Sequence, residues 1–398
     1  MLVFFGDQYS IIDILKYYWP VFPVALIIGL ITTPICLKIA LRFNIVDMPD
    51  DQMKTHKEPT AYLGGLAILL GLLAGIWIGM WIIITNPIER LSDISETSNL
   101  NSDLKPWFLL AGIALGATIA CITGLLDDLL DLSPKQKLFG QTIAAFVIFS
   151  VGVRPNFIHL FTYVNIDLPP WLNLTLGFAA VLFMILGATN SLNLLDGLDG
   201  LCAGVTSLIT SSYLLLALIL ASWGHSPIGD PIRLILCLSL FGGALGFLPM
   251  NRHPAKIFMG DCGSLLLGFI VGTLILLNME QFGRWSIASI VIFGLPILDT
   301  AIAIMRRALN GKPIMVSDRG HIYDQFIDRG LGLKKSVRIC YILALGYGFL
   351  GLLISFIRFR YSIVAFLIIV LISAFGVWKF DFLKMKNVPN QQTEEDLV

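Results

Sequence analysis

The stretch GLLDDLLDLSPKQKLFGQ, residues 124–141, decides the fold. It sets Asp127, Asp128, Asp131, Lys135 and Lys137 between two long apolar runs, so a membrane-like chain is interrupted by a short charged turn. A carboxylate at the centre of a membrane helix costs roughly +2.5 to +3.5 kcal/mol even on the mildest insertion scale. The stretch therefore marks a point where the chain leaves hydrocarbon and returns. Three more polar islands break the same background: NSLNLLDGLDGL from Asn190, FMGDCGS from Phe258 and DRGHIYDQFIDRG from Asp318.

The background is that of a polytopic membrane protein. Of 398 residues, 56% are hydrophobic and 14% charged, with a mean hydropathy of +0.82, and a soluble chain carries nearly twice that charge density. The hydropathy predicts an all-α polytopic membrane protein with about 11 transmembrane helices, at 18–42, 62–85, 107–126, 138–153, 171–190, 201–223, 232–249, 263–279, 286–305, 339–357 and 361–379. Most Lys and Arg then lie on the side that holds the four islands, which puts the N-terminus outside, the C-terminus in the cytoplasm and the islands at the cytoplasmic face. No cleavable signal is expected, because the first apolar span lacks a basic leader and is too long for a signal core. The six cysteines have neither metal nor disulfide spacing and read as packing residues. Residues 1–380 form one expected polytopic domain, and 381–398 a polar, disordered tail. The zero net charge excludes nothing by itself, and nothing in the chain points to nucleic acid.

On a helix, Asp131 would share a face with Asp127 and Asp128. Clustered carboxylates suit Mg²⁺, a hard cation that bridges to phosphate. One of them can instead accept a proton from an acidic nucleophile, and a solvated helix end is the plainer reading. Lys137 is placed either to hold a phosphate or to anchor the helix at the interface. Asn190, Asn193, Asp196 and Asp199 recur every third residue, a slanted polar stripe at the inner end of the fifth span. Gly197 and Gly200 beside it leave room for a base or phosphate at the backbone. Asp261 stands just before a span whose first turn favours anions, as a ligand or as a cap, and Ser264 is a second candidate cap. The loop from Arg306 to Arg338 carries Arg319, His321, Tyr323 and Asp324 among cations, the profile of a segment that folds over a diphosphate. Lys57, in KTHKEPTAYLGG, can contact a nucleotide or simply fix topology.

Taken in order, these motifs resemble the polyprenyl-phosphate N-acetylhexosamine-1-phosphate transferase superfamily (glycosyltransferase family 4) from about Lys54 to Gly330. The resemblance implies transfer of a sugar 1-phosphate from a UDP-N-acetylhexosamine to undecaprenyl phosphate, with release of UMP and Mg²⁺ or Mn²⁺ as cofactor. It implies catalytic roles for Asp127, Asp128, Lys137 and His321. It also implies metal ligation by Asn193 and Asp261, and substrate binding by Lys57, Asn190, Asp196, Asp199 and Arg319. Membrane lipids and a second copy of the chain, as a homodimer, are further expected partners. The segment Asp131-Leu-Ser-Pro is similar to the GlcNAc-1-phosphate branch, which initiates lipid-linked envelope glycans. That branch usually shows a His-x-His-His run where this chain has His321, Ile322, Tyr323 and Asp324, so Asp324 reverses the charge a histidinium would supply. The alternative within the superfamily is the phospho-MurNAc-pentapeptide translocase, to whose loop lysine Lys57 is similar. Outside it stand an intramembrane prenyltransferase, which would use DDLLD but not the His321 loop, and a transporter, whose polar residues belong near the midplane.

Overall fold

The computed structural model describes residues 10–48, 59–85, 106–158, 161, 167–223, 229–279, 283–311, 313 and 320–383. Lys57, Arg319 and the tail beyond residue 383 lie outside them. Fourteen helices run through the described residues: α1 Ile11–Tyr18, α2 Val21–Arg42, α3 Gly64–Thr85, α4 Pro106–Leu130, α5 Pro134–Ser150, α6 Pro170–Leu195, α7 Leu201–Ser222, α8 Gly229–Asn251, α9 Gly260–Asn278, α10 Arg284–Ile292, α11 Gly294–Leu309, α12 Ile322–Asp328, α13 Leu333–Ser355 and α14 Phe359–Lys379. The only strands among them are β1 Val46–Asp47 and β2 Thr60–Ala61, paired antiparallel.

Among the described residues, nine helices are long and apolar enough to cross a membrane, and α10 with α11 makes a tenth if that bent pair is one span. All backbone groups of such segments are satisfied internally, which is why helices carry the chain through lipid. The bundle is organised around α9, 94% of whose apolar window is enclosed, with α8 beside it at 83%, whereas α14 at 6% is peripheral. Large apolar side chains such as Phe375 and Trp378 point outward from α14, as expected where the surrounding solvent is lipid. Small residues let the central helices approach. At Gly65 an added Cβ would stand 2.2 Å from the Gly263 backbone nitrogen, so α3 and α9 touch backbone to backbone there.

Two segments are not simple full-length spans. The fourth segment is a 17-residue helix, α5, about 26 Å long at 1.5 Å per residue and so shorter than the hydrocarbon core. The ninth is broken: α10 and α11 meet at an angle of 67°. Pro296, in the first turn of α11, has no N–H to continue the ladder from α10, and its ring excludes the carbonyl four residues back. Close contact with α13 also shapes the break, since a Cβ on Gly294 would lie 2.4 Å from the Tyr347 ring.

Candidate active site

Four helix ends meet at one end of the bundle. The α4 helix stops at Leu130, and Asp131 follows in the left-handed region at φ +52°. Asp131 is exposed and does not extend the face of Asp127 and Asp128, because the helix that would have aligned them has ended. Its place is taken by a local cap, in which Leu132 N donates to Asp127 Oδ1 at 3.0 Å. Ser133, Pro134 and Gln136 then start α5: Ser133 N and Oγ both donate to Gln136 Oε1, at 2.9 and 2.7 Å, and Pro134 needs no partner at the first helical position. This reversal points Lys137 back toward α4.

The Lys137 ammonium sits among three oxygens. It lies 2.9 Å from Asp127 Oδ2, 3.2 Å from Asn193 Oδ1, and pairs with Asp261 Oδ2. Asn193, from the last turns of α6, donates to Asp261 Oδ1 at 2.7 Å and to Ser264 Oγ at 3.0 Å. The side chains of Lys137, Asp127 and Asp261 keep 16%, 15% and 27% of their exposure, so the cluster is reachable from outside the bundle.

Asp128 does a different job from its neighbour. Its Oδ1 accepts from Asp261 N at 2.8 Å and its Oδ2 from Cys262 N at 3.0 Å. A carboxylate on two first-turn amides satisfies orphan donors and complements the helix dipole. Asp128 thus fixes the start of α9 and, with it, the direction of Asp261. Gly260 makes this possible: its φ is +65°, and a Cβ would lie 2.4 Å from Asp128 Oδ2. Ser264 is not the cap of α9; Met259 holds that position and Ser264 lies a turn inside.

The stripe from Asn190 to Asp199 does not remain on one helix, because α6 ends at Leu195. Asn190 turns away from the cluster and donates to Gln141 Oε1 at 2.9 Å and Leu186 O at 2.8 Å, a seam between α5 and α6. Asn190→Ala is therefore expected to lower stability by about 1–2 kcal/mol while activity stays within about threefold, checked by thermal unfolding beside a transfer assay. Asp196 is half-buried at the α6 terminus. Desolvation, and then the charges of Asp261, Asp128 and Asp199, hold its carboxyl well above the usual range. Asp199 accepts from Ala255 N at 3.1 Å and contacts His253 Nδ1 at 2.8 Å, which ties the α6–α7 turn to the loop before α9.

Gly197 and Gly200 serve protein packing at the positions read as openings for a base or phosphate. A Cβ on Gly197 would stand 2.0 Å from the Tyr323 hydroxyl, and on Gly200, at φ +74°, 3.2 Å from Arg252 Cα. Tyr323 donates to Leu194 O at 3.2 Å, and its ring stacks on His321 with centroids 5.5 Å apart and planes at 10°. Burial first, then the charges of Asp324, Asp299 and Asp196, push its phenol up. Asp324 Oδ2 accepts from Gly320 N at 3.2 Å and His321 N at 3.3 Å, so the acid in place of a histidine caps its own helix. His321 Nδ1 lies 2.8 Å from Asp299 Oδ2. Asp299, on α11, has no place in the sequence reading, although a lone acid within an apolar span is itself a signal of function.

On the opposite flank, β2 pairs with β1 and Ala61 bridges to Ile257. This small ribbon sets Tyr62 against Phe258, edge to face at 6.2 Å. Burial, followed by the charge of Asp47, raises the Tyr62 phenol.

The cluster fits a hard divalent cation. Asp127, Asp128 and Asp261 against one ammonium leave two formal negative charges, and the donors are carboxylate and amide oxygens. No three His, Cys, Asp or Glu side chains among the described residues form a metal-ligand set by themselves.

Sequence comparison gives the class to which this helical bundle and its cluster belong. The profile of "Glycosyl transferase family 4" matches residues 110–279. The chain is 35% identical over 325 residues to the "Probable undecaprenyl-phosphate N-acetylglucosaminyl 1-phosphate transferase" of Bacillus subtilis, covering 81% of this chain and 80% of the relative. It is 34% identical over 269 residues to the phospho-N-acetylmuramoyl-pentapeptide-transferase of Enterococcus hirae, covering 65% and 73%. It is 28% identical over 328 residues to the decaprenyl-phosphate N-acetylglucosaminephosphotransferase of Mycolicibacterium smegmatis, covering 76% and 74%. The chain belongs to glycosyl transferase family 4.

Proposed function

We propose that this protein transfers N-acetylglucosamine 1-phosphate, or a related N-acetylhexosamine 1-phosphate, from a UDP-sugar to undecaprenyl phosphate, releasing UMP and initiating a lipid-linked envelope glycan. The observation that carries the reading is the Lys137 ammonium held between Asp127, Asn193 and Asp261, from four helix ends. The names of the Bacillus and Mycolicibacterium relatives support the donor and the acceptor class. The topology that goes with it has eleven spans, α5 and the bent α10–α11 pair included, an outer N-terminus and the cluster at the cytoplasmic face.

The acceptor is a phosphate monoester, already anionic and confined to the membrane surface by its tail. Its attack on the sugar-linked phosphorus needs position and charge neutralisation more than covalent help from the protein. Lys137 supplies one fixed positive charge for the transferring phosphate. Asp127, beside it, is placed to orient the acceptor phosphate or take its last proton. Asp128 and Asn193 keep Asp261 aimed at the cluster. Mg²⁺, held by Asp261 and Asn193, would neutralise the donor diphosphate.

The test is UMP release and lipid-linked sugar phosphate formation by purified protein given Mg²⁺, undecaprenyl phosphate and UDP-GlcNAc. Both products are expected from the unmodified protein and neither from Asp261→Asn. Chelation by EDTA should stop the reaction and added Mg²⁺ restore it, with Mn²⁺ a weaker substitute; undiminished transfer in EDTA would remove the metal from the scheme. The Enterococcus relative favours UDP-MurNAc-pentapeptide as the second donor to offer, and product from it alone would reassign the branch.

A further inference from the structure

Asp299 has no part in the scheme above, yet it is fully buried and both of its oxygens are committed. Oδ2 faces His321 Nδ1 at 2.8 Å, and Oδ1 accepts from Ile322 N at 2.7 Å. An ionised carboxylate only accepts, so the ring nitrogen facing it carries a proton. His321 Nε2 makes no hydrogen bond among the described residues. The ring is fixed from a second direction by the parallel Tyr323, whose hydroxyl reaches Leu194 O across the side-chain-free face of Gly197. Leu194 follows Asn193 directly, so the second hold on the imidazole comes from the same helix end that supplies the Lys137 cluster. Arg306 donates to Gly320 O and so ties down the backbone that leads into His321.

We infer that Asp299 is a positioning residue of the transferase: it holds a proton on His321 Nδ1 and so leaves the Nε2 lone pair to accept a hydrogen bond from an O–H or N–H of the donor sugar. The inference rests on the transferase reading for what Nε2 meets, and on geometry alone for the tautomer. Asp299 touches no substrate in this scheme; it acts through His321. Buried carboxylates that fix a catalytic imidazole in this way can be worth as much as ~10⁴-fold in rate where the histidine moves a proton. For an imidazole that only orients the donor sugar through Nε2, a loss of ~10²-fold is expected.

Two measurements on the full-length protein test it. The chain has five histidines, so ¹⁵N-histidine NMR in detergent is tractable, with His321→Gln identifying the signal by its loss. The unmodified protein should show Nδ1 of His321 protonated, and Asp299→Asn should shift that signal toward the Nε2-protonated form. An unprotonated Nδ1 in the unmodified protein would overturn the inference. The second measurement is a double-mutant cycle on UMP release. Asp299→Asn should lower kcat ~10²-fold with KM for the UDP-sugar changed less than ~3-fold, and should add no further loss to His321→Gln. Independent, multiplying losses would mean that Asp299 acts on the fold and not through the imidazole. Absence of UMP from the unmodified protein would overturn the transferase reading instead, and the NMR result would still decide the Asp299–His321 tie.

Discussion

Lys137→Met protein should insert and fold but transfer sugar phosphate about 10²–10³-fold more slowly than the unmodified chain. The methionine keeps the length and apolar stem of lysine, so what is lost is the charge. Without it, Asp127 and Asp261 face each other across the space the ammonium filled, and the cluster carries one more uncompensated negative charge where an anionic donor and an anionic acceptor must meet. Raising Mg²⁺ should recover part of the rate, because a second cation can replace some of the missing charge. Initial rates of UMP release at several Mg²⁺ concentrations check both statements. A rate within threefold of the parent would return Lys137 to the role of an interfacial anchor.

Gly260→Ala should be among the damaging single-methyl changes near the site. At φ +65° an L-residue is disfavoured by about 1–2 kcal/mol. The added Cβ would also lie 2.4 Å from Asp128 Oδ2, 2.8 Å from Oδ1 and 2.8 Å from Cγ, so the carboxylate must leave the amides of Asp261 and Cys262. Each charge-assisted hydrogen bond of that kind contributes about 1.5–3 kcal/mol. The expected result is a loss of roughly 4–8 kcal/mol with near-complete loss of transfer, read by thermal unfolding and by UMP release. Gly311→Ala is the matched control: it has the same φ of +65° but nothing within 4 Å of the new Cβ, so only the backbone penalty should appear.

Hydropathy made the helical membrane architecture legible, because burial in lipid demands long apolar runs and the chain supplies them almost end to end. It did not reveal the break at Phe293, since Pro296 sits in a run whose composition is that of a continuous span. The islands disclosed which segments meet, and Asp127, Lys137, Asn193 and Asp261 do come together. Spacing alone could not separate Asp127 from Asp128, adjacent in sequence yet turned one toward an ammonium and one toward backbone amides, because that division depends on where α9 begins. Nor could it show that Asn190 belongs to a seam with Gln141, or that Gly197 makes room for Tyr323. These two assignments depend on partners 49 and 126 residues away in the chain.

The break also bears on the membrane itself. Its first half, α10, has 9 residues and its second, α11, has 16. With α10 upright, the two rise about 13 and 24 Å along their own axes, and after the 67° turn the second projects roughly 9 Å onto the first. The pair then covers roughly 23 Å of a hydrocarbon layer about 30 Å thick. In the proposed topology, where the pair is one span, lipids along this flank would thin or let their headgroups sink to meet it. A polyprenyl phosphate drifting along the leaflet would find the surface dimpled there, its charged head lowered toward the level of the helix ends while its tail stays in oil.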